Sequence, residues 1–237
     1  MQKNLILLHG WGASADKLKH LEIELNKSGW ITQNMKLPGF DLTYPKFAWW
    51  LKDYSDYVSK EAEKVFRGNK YYIFGHSFGG RIAIKLASYA PDKLTGVVLC
   101  STAGISRGRS VKRVIFLILA KIGKILLIAP TLARFWRKII YKLAKEHDYE
   151  KASGIMKKVF KKVISEDVRE LLAKIKVPTL ILWGEEDKMT PVNDAYFLNE
   201  KIRDSKLVIF KNQGHKLPYI GTKEVAKEID KWVNSQI

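Results

Sequence analysis

Six short runs, five of them almost purely apolar, constrain this chain most: Leu5 to His9, Ile31 to Leu37, Tyr71 to Phe74, Gly96 to Cys100, Thr179 to Trp183 and Leu207 to Phe210. A strand with one wet face alternates apolar and polar residues. Runs without that alternation suit strands covered on both faces, as in a parallel sheet. Helical patterns fall between them. Leu18, Leu21 and Leu25 recur at spacings of three and four, and Gly29 follows as a C-terminal cap. Further helices are predicted over 47–66, 77–89, 193–202 and 223–233. Strand and helix in alternation predict an α/β doubly wound sheet, and 237 residues suit one large domain.

The alternation breaks once. From about Gly104 to Ile175 helical patterns continue without strand signals, which predicts a core of residues 1–103 and 166–237 and an inserted helical cap (lid) over 104–165. The cap also explains the charge. The whole chain carries +18, yet Ile105 to Ser165 holds 16 Lys and Arg against three acids, a net of +13 that leaves only +5 elsewhere. Apolar runs such as Val114 to Leu119 and Ile125 to Ile128 lie in the same segment, so a basic, apolar lid is expected. Such a lid suits an anionic substrate, a carrier protein or a phospholipid surface. Nucleic acid is not expected, because its basic residues are interleaved with aliphatics rather than with stacking aromatics.

Gly75-His76-Ser77-Phe78-Gly79-Gly80 follows one apolar run and opens a helical one. A G-x-S-x-G turn in that setting is a nucleophile elbow, lifting Ser77 above the sheet, with Gly75 and Gly79 where side chains would collide. A serine hydroxyl needs a base. Of five histidines only His215 lies in a loop just past the last strand, at the sheet end where ligands meet an open α/β fold. The base in turn needs a carboxylate to fix its tautomer. Glu185, Glu186 and Asp187 share the loop after the fifth strand, and the residues alone leave the choice among them open. Donors for an oxyanion are expected from Phe78 N–H and, in the glycine-bearing loop His9-Gly10-Trp11-Gly12, from Trp11 N–H. The Trp11 indole suits either a pocket wall or ordinary core.

Taken together, His9-Gly10-Trp11-Gly12, Leu37-Pro38-Gly39-Phe40-Asp41, the elbow, Trp183-Gly184-Glu185-Glu186-Asp187 and Gly214-His215 resemble the α/β-hydrolase fold-1 superfamily. Within it the chain is similar to small bacterial serine carboxylesterases, including the pimeloyl-carrier-protein methyl ester esterases. The resemblance implies Asp187 as the acid, from its spacing after Gly184, and a sheet of six strands in the order 2-1-3-4-5-6. It implies a Ser77–His215–Asp187 triad that cleaves small-molecule carboxylic esters through an acyl-enzyme. A thioesterase or lysophospholipase acting on long acyl chains is the nearest alternative; a non-catalytic binder of anionic surfaces is the alternative of another class. Fold analogy does not select the substrate.

No cofactor and no metal are expected, since no Cys/His cluster has ligand spacing. The single cysteine, Cys100, reads as a small buried residue ending a strand. The opening Met1 to Leu8 is too short for a signal h-region, and Val114 to Ala129 is interrupted by Lys121 and Lys124, so a cytoplasmic protein without a transmembrane segment is expected.

Overall fold

The computed structural model describes residues 2–89, 92–105 and 154–236. Strands β1 (Lys3–Leu8), β2 (Trp30–Asn34), β3 (Tyr71–His76), β4 (Leu94–Cys100), β5 (Thr179–Gly184) and β6 (Ser205–Phe210) form one sheet in the order β2-β1-β3-β4-β5-β6. Every pairing is parallel. The reason for the unbroken apolar runs is visible in β1. Leu5 and Leu7 point into the core on one face of the sheet, while Ile6 and Leu8 point into the core on the other. In β5, Leu180 and Leu182 divide from Ile181 and Trp183 in the same way. The period of two is present but both phases are buried, so hydropathy does not alternate.

One face is covered by α1 (Lys19–Lys27) and α8 (Thr222–Asn234), the other by α2 (Leu51–Phe66), α3 (Phe78–Ala87) and α4 (Gly154–Ser165). Short helices α5 (Arg169–Leu172) and α7 (Leu217–Ile220), the longer α6 (Asn193–Lys201) and a 3₁₀ turn over Ala15–Leu18 complete the described elements. The edge strands depart from the expectation of six fully buried runs. β2 and β6 each have one neighbour, and Ile31 is exposed. The predicted helix over 47–66 begins only at Leu51, because the Asp53 carboxylate accepts the Trp50 N–H (2.7 Å) and caps the helix there. Gly29 stands at φ +83° after α1, in the left-handed conformation that favours glycine.

Of the predicted cap, only 104–105 and α4 lie within the described residues. Helix α4 buries Met156, Val159 and Val163 in the same cluster as the sheet core. Its last turn is held by Arg81 of α3, whose guanidinium donates to the Val163 and Glu166 carbonyls. A buried cation there meets the negative end of the helix. Among the described residues no helix is long and apolar enough to cross a membrane.

Candidate active site

The elbow is built by strain and close approach. Ser77 sits at φ 52°, ψ −108°, a conformation that costs a non-glycine residue on the order of 1–3 kcal/mol. Its neighbours hold it there: Ser77 N–H donates to the Cys100 carbonyl (3.1 Å), and Ala103 N–H donates to the Ser77 carbonyl (3.1 Å). A Cβ on Gly75 would strike the backbone of Gly79, and one on Gly79 the backbone of Leu8. Backbone cannot step aside as a side-chain tip can, so both positions require glycine. At the head of α3 the Gly79 N–H donates to the His9 carbonyl (3.1 Å), and the Gly80 and Arg81 amides turn back to the Ser77 carbonyl (3.1 and 3.3 Å). Phe78 N–H, first in the helix, has no intrahelical acceptor by position.

The loop after β1 lies close over the elbow. A Cβ on Gly10 would come within 3.4 Å of the Ser77 Cβ, and Gly12 takes φ +69°. His9 pins this loop to the next one, its Nε2 2.9 Å from Asp41 Oδ2 and its Nδ1 2.8 Å from the Gly10 carbonyl oxygen. Burial pushes the Asp41 carboxyl up, but the bonds from His9, Ala15 N–H and Leu37 N–H outweigh it and hold the group below its ordinary value. Trp11 packs edge-on against Phe40 (4.9 Å), Phe78 (5.2 Å) and Phe160 of α4 (4.9 Å). Half-buried, the indole is part of an aromatic cluster beside Ser77 rather than sealed core.

On the other side, the β5 and β6 loops are stitched together by backbone. Glu186 N–H donates to the Gln213 carbonyl (2.8 Å), and Gly184 lies where a Cβ would strike that same carbonyl. Of the three carboxylates in the β5 loop, Glu185 and Glu186 face solvent. Asp187 is buried and accepts His215 Nδ1–H at 2.8 Å. Its other oxygen accepts Met189 N–H (2.8 Å) and Thr190 N–H (2.9 Å), and the Thr190 hydroxyl lies 2.8 Å from Oδ2. Burial raises the Asp187 pKa, yet His215 and the Thr190 donors together bring it below the usual value.

His76, inside the elbow, links the two sides. Its ring lies 4.8 Å from that of His215, and its Nε2 is 2.9 Å from the His215 carbonyl oxygen, which can only accept, so Nε2 carries the proton. Nδ1 therefore accepts the Tyr219 O–H (2.9 Å). Burial, with repulsion from His215, pulls the His76 pKa down to about 3, so the ring is neutral near pH 7. Tyr219 in turn lies against the Gly10 amide. Thr190 and Tyr219 were not predicted from the sequence. Both stand three or four residues from a predicted member, Asp187 or His215, and that proximity is the only signal either leaves. Among the described residues no cluster of three His, Cys, Asp or Glu is placed to hold a metal.

Comparison with known proteins follows the same lines. Residues 1–219 match the family described as serine aminopeptidase, S33. The AB hydrolase superfamily protein YisY of Bacillus subtilis is 27% identical over 98% of this chain and 91% of its own length. The pimeloyl-[acyl-carrier protein] methyl ester esterase of Neisseria meningitidis is 26% identical over 90% of this chain and 86% of its own. An esterase from Exiguobacterium antarcticum shares the fold, with a TM-score of 0.73 at 19% identity over 98% of this chain and 92% of its own. With a parallel sheet in the order 2-1-3-4-5-6 and a serine elbow after its third strand, the chain belongs to this family of α/β-hydrolases.

Proposed function

We propose that the protein is a serine ester hydrolase. The observation that carries this reading is the buried Asp187 accepting from His215 Nδ1 at 2.8 Å, with the His215 ring 4.8 Å from that of His76, the neighbour of a serine held at φ 52° on a strand-to-helix turn. With Nδ1 committed to Asp187, His215 is left Nε2 to take the Ser77 proton as Oγ attacks the ester carbonyl carbon. The oxyanion is met by Phe78 N–H and Trp11 N–H. His215 then gives the proton to the departing alkoxide as the ester C–O bond breaks. Water, deprotonated by the same nitrogen, releases the acid from the acyl-enzyme, and Ser77 regains its proton.

The aromatic cluster of Trp11, Phe40, Phe78 and Phe160 favours an apolar acyl group, and a thioester or lysophospholipid would meet the same wall. An aminopeptidase needs an acceptor for a free amine, and Asp41 below the Trp11 loop is already engaged by His9, Ala15 and Leu37. A panel of p-nitrophenyl esters from acetate to dodecanoate, with proline p-nitroanilide beside it, tests the reading. Ester turnover that Ser77→Ala removes is expected; a Ser77→Ala protein as fast as the wild type would overturn it.

His76 and Tyr219 act on this reaction by positioning the His215 loop. His76→Ala removes the donor to the His215 carbonyl and is expected to lower kcat by about 10-fold or more with KM within twofold, since a base displaced by even 1 Å costs steeply. His76→Gln, whose amide N–H can replace Nε2–H, is expected to recover most of that loss. Equal loss in both variants would assign His76 to packing alone.

A further inference from the structure

Beyond that reading, the loop from Leu42 to Trp50 calls for an explanation of its surface. Leu42, Tyr44, Phe47 and Trp50 are 40, 58, 66 and 45% exposed. Scattered exposed apolar residues are ordinary, but four within nine residues of one loop make a patch that marks an interaction site. The loop does not stand alone. Lys162 of α4 donates to the Ala48 carbonyl (2.7 Å) and places its Nζ 4.6 Å from the centre of the Trp50 ring, so α4 lies directly alongside.

Charge decides what fits there. The loop contributes Lys46 and α4 contributes Lys158 and Lys162, while neither 42–50 nor Gly154–Ser165 contains an acid. The carboxylates nearest in sequence are each already bonded: Asp41 to His9, Asp53 to the Trp50 N–H, Asp56 to Lys52, and Glu166 to the Leu51 N–H and Lys85. Lys158, Lys161 and Ile164 form the exposed face of α4. Among the described residues the surface is thus aromatic and aliphatic with ammonium groups interleaved, and the one carboxylate bonded to it, Asp53, is turned onto the Trp50 N–H.

We propose that this surface docks on an anionic lipid surface, with Tyr44, Phe47 and Trp50 at headgroup depth and the lysines against lipid phosphates. Amphipathic rings flanked by lysines favour the membrane interface, and each lysine there adds attraction to anionic lipid. A single-stranded nucleic acid would stack on the rings but gain nothing from Leu42 and Ile164, and would be met by guanidinium forks more often than by ammonium groups. The position serves the site. The chain that enters this loop carries Phe40, and α4 carries Phe160, to the aromatic cluster around Trp11 beside Ser77. A docked membrane would present its acyl esters at that edge.

The test uses full-length Ser77→Ala protein, so that binding is read without turnover and its failure is separate from failure of the hydrolase reading. Co-sedimentation with phosphatidylcholine vesicles, with vesicles containing 30% phosphatidylglycerol, and with an oligo(dT) arm in place of vesicles is compared at low and high salt. Binding to the anionic vesicles is expected to exceed that to neutral ones by ~10-fold or more and to fall steeply with salt. Phe47→Ser and Lys158→Glu, each with the parent's Tm, are each expected to weaken it severalfold. Vesicle binding that is absent, that both variants leave unchanged, or that is weaker than binding to oligo(dT) would overturn the proposal.

Discussion

Ser77→Gly is expected to make the protein more stable and inactive at once. Glycine adopts φ 52° without the crowding a Cβ brings, so the substitution relieves on the order of 1–3 kcal/mol of strain, offset by about 0.5–1 kcal/mol for the greater freedom of glycine in the unfolded chain, a net gain of about 1 kcal/mol. For a domain of this size the gain corresponds to a rise in Tm of ~2–4 °C. Hydrolysis of the best ester in the panel should fall by at least ~10⁴-fold, because the hydroxyl is the attacking group and the remaining residues supply only binding and oxyanion stabilisation. Calorimetry and initial rates on the same preparation check both halves. A lower Tm with the loss of activity would mean that the elbow conformation is held by the serine side chain itself rather than imposed on it by the bonds to Cys100 and Ala103.

Asp187→Asn should cost kcat on the order of 10³–10⁴-fold with little change in KM. The direction follows from how an amide must sit there. Met189 and Thr190 N–H both require an oxygen at the Oδ1 position, so the Asn NH₂ falls at Oδ2 and faces His215 Nδ1. Nδ1 then becomes an acceptor, the ring proton moves to Nε2, and His215 can no longer accept from Ser77. The same substitution has a signature in stability against pH. The Asp187 pKa is lowered in the folded protein, so the carboxylate's contribution is fully present above its unfolded value near 3.9 and is lost as pH falls through the folded value below it. Urea midpoints should therefore drop more between pH 6 and pH 3 for the wild type than for Asp187→Asn. Parallel slopes would show that Asp187 contributes nothing to acid unfolding.

The two substitutions bear on parts of the site that were legible in the sequence to different degrees. The elbow is local as a pattern: Gly75, Ser77 and Gly79 lie within five residues, and Gly75 is required by the turn itself, although Gly79 is required by the approach of Leu8 from β1. Asp187 is of another kind, because Glu185 and Glu186 are chemically adequate neighbours and only the approach of the β6 loop, stitched to the β5 loop at Gln213, selects the one that turns inward. Thr190 and Tyr219 left still less trace. A threonine after a strand and a tyrosine in a four-residue helix are unremarkable until their hydroxyls are seen beside Asp187 and His76. Arg81 was hidden differently, since a basic residue in an amphipathic helix reads as solvated, and only the last turn of α4 brings carbonyls to it.

By itself the sequence determined the parallel sheet and the serine turn, because strands buried on both faces write unbroken apolar runs and a tight turn admits only glycine at its contact points; the strand order came only with the family resemblance. Tertiary structure decided which carboxylate meets His215, why His76 stays neutral, and which aromatics are covered and which reach solvent. Phe40 and Phe47 lie seven residues apart and differ little as sequence, yet one packs against Trp11 and the other is 66% exposed. That division depends on where α3 and α4 pass, contacts separated by scores of residues along the chain, and burial and charge pairing are set by such contacts and not by local pattern.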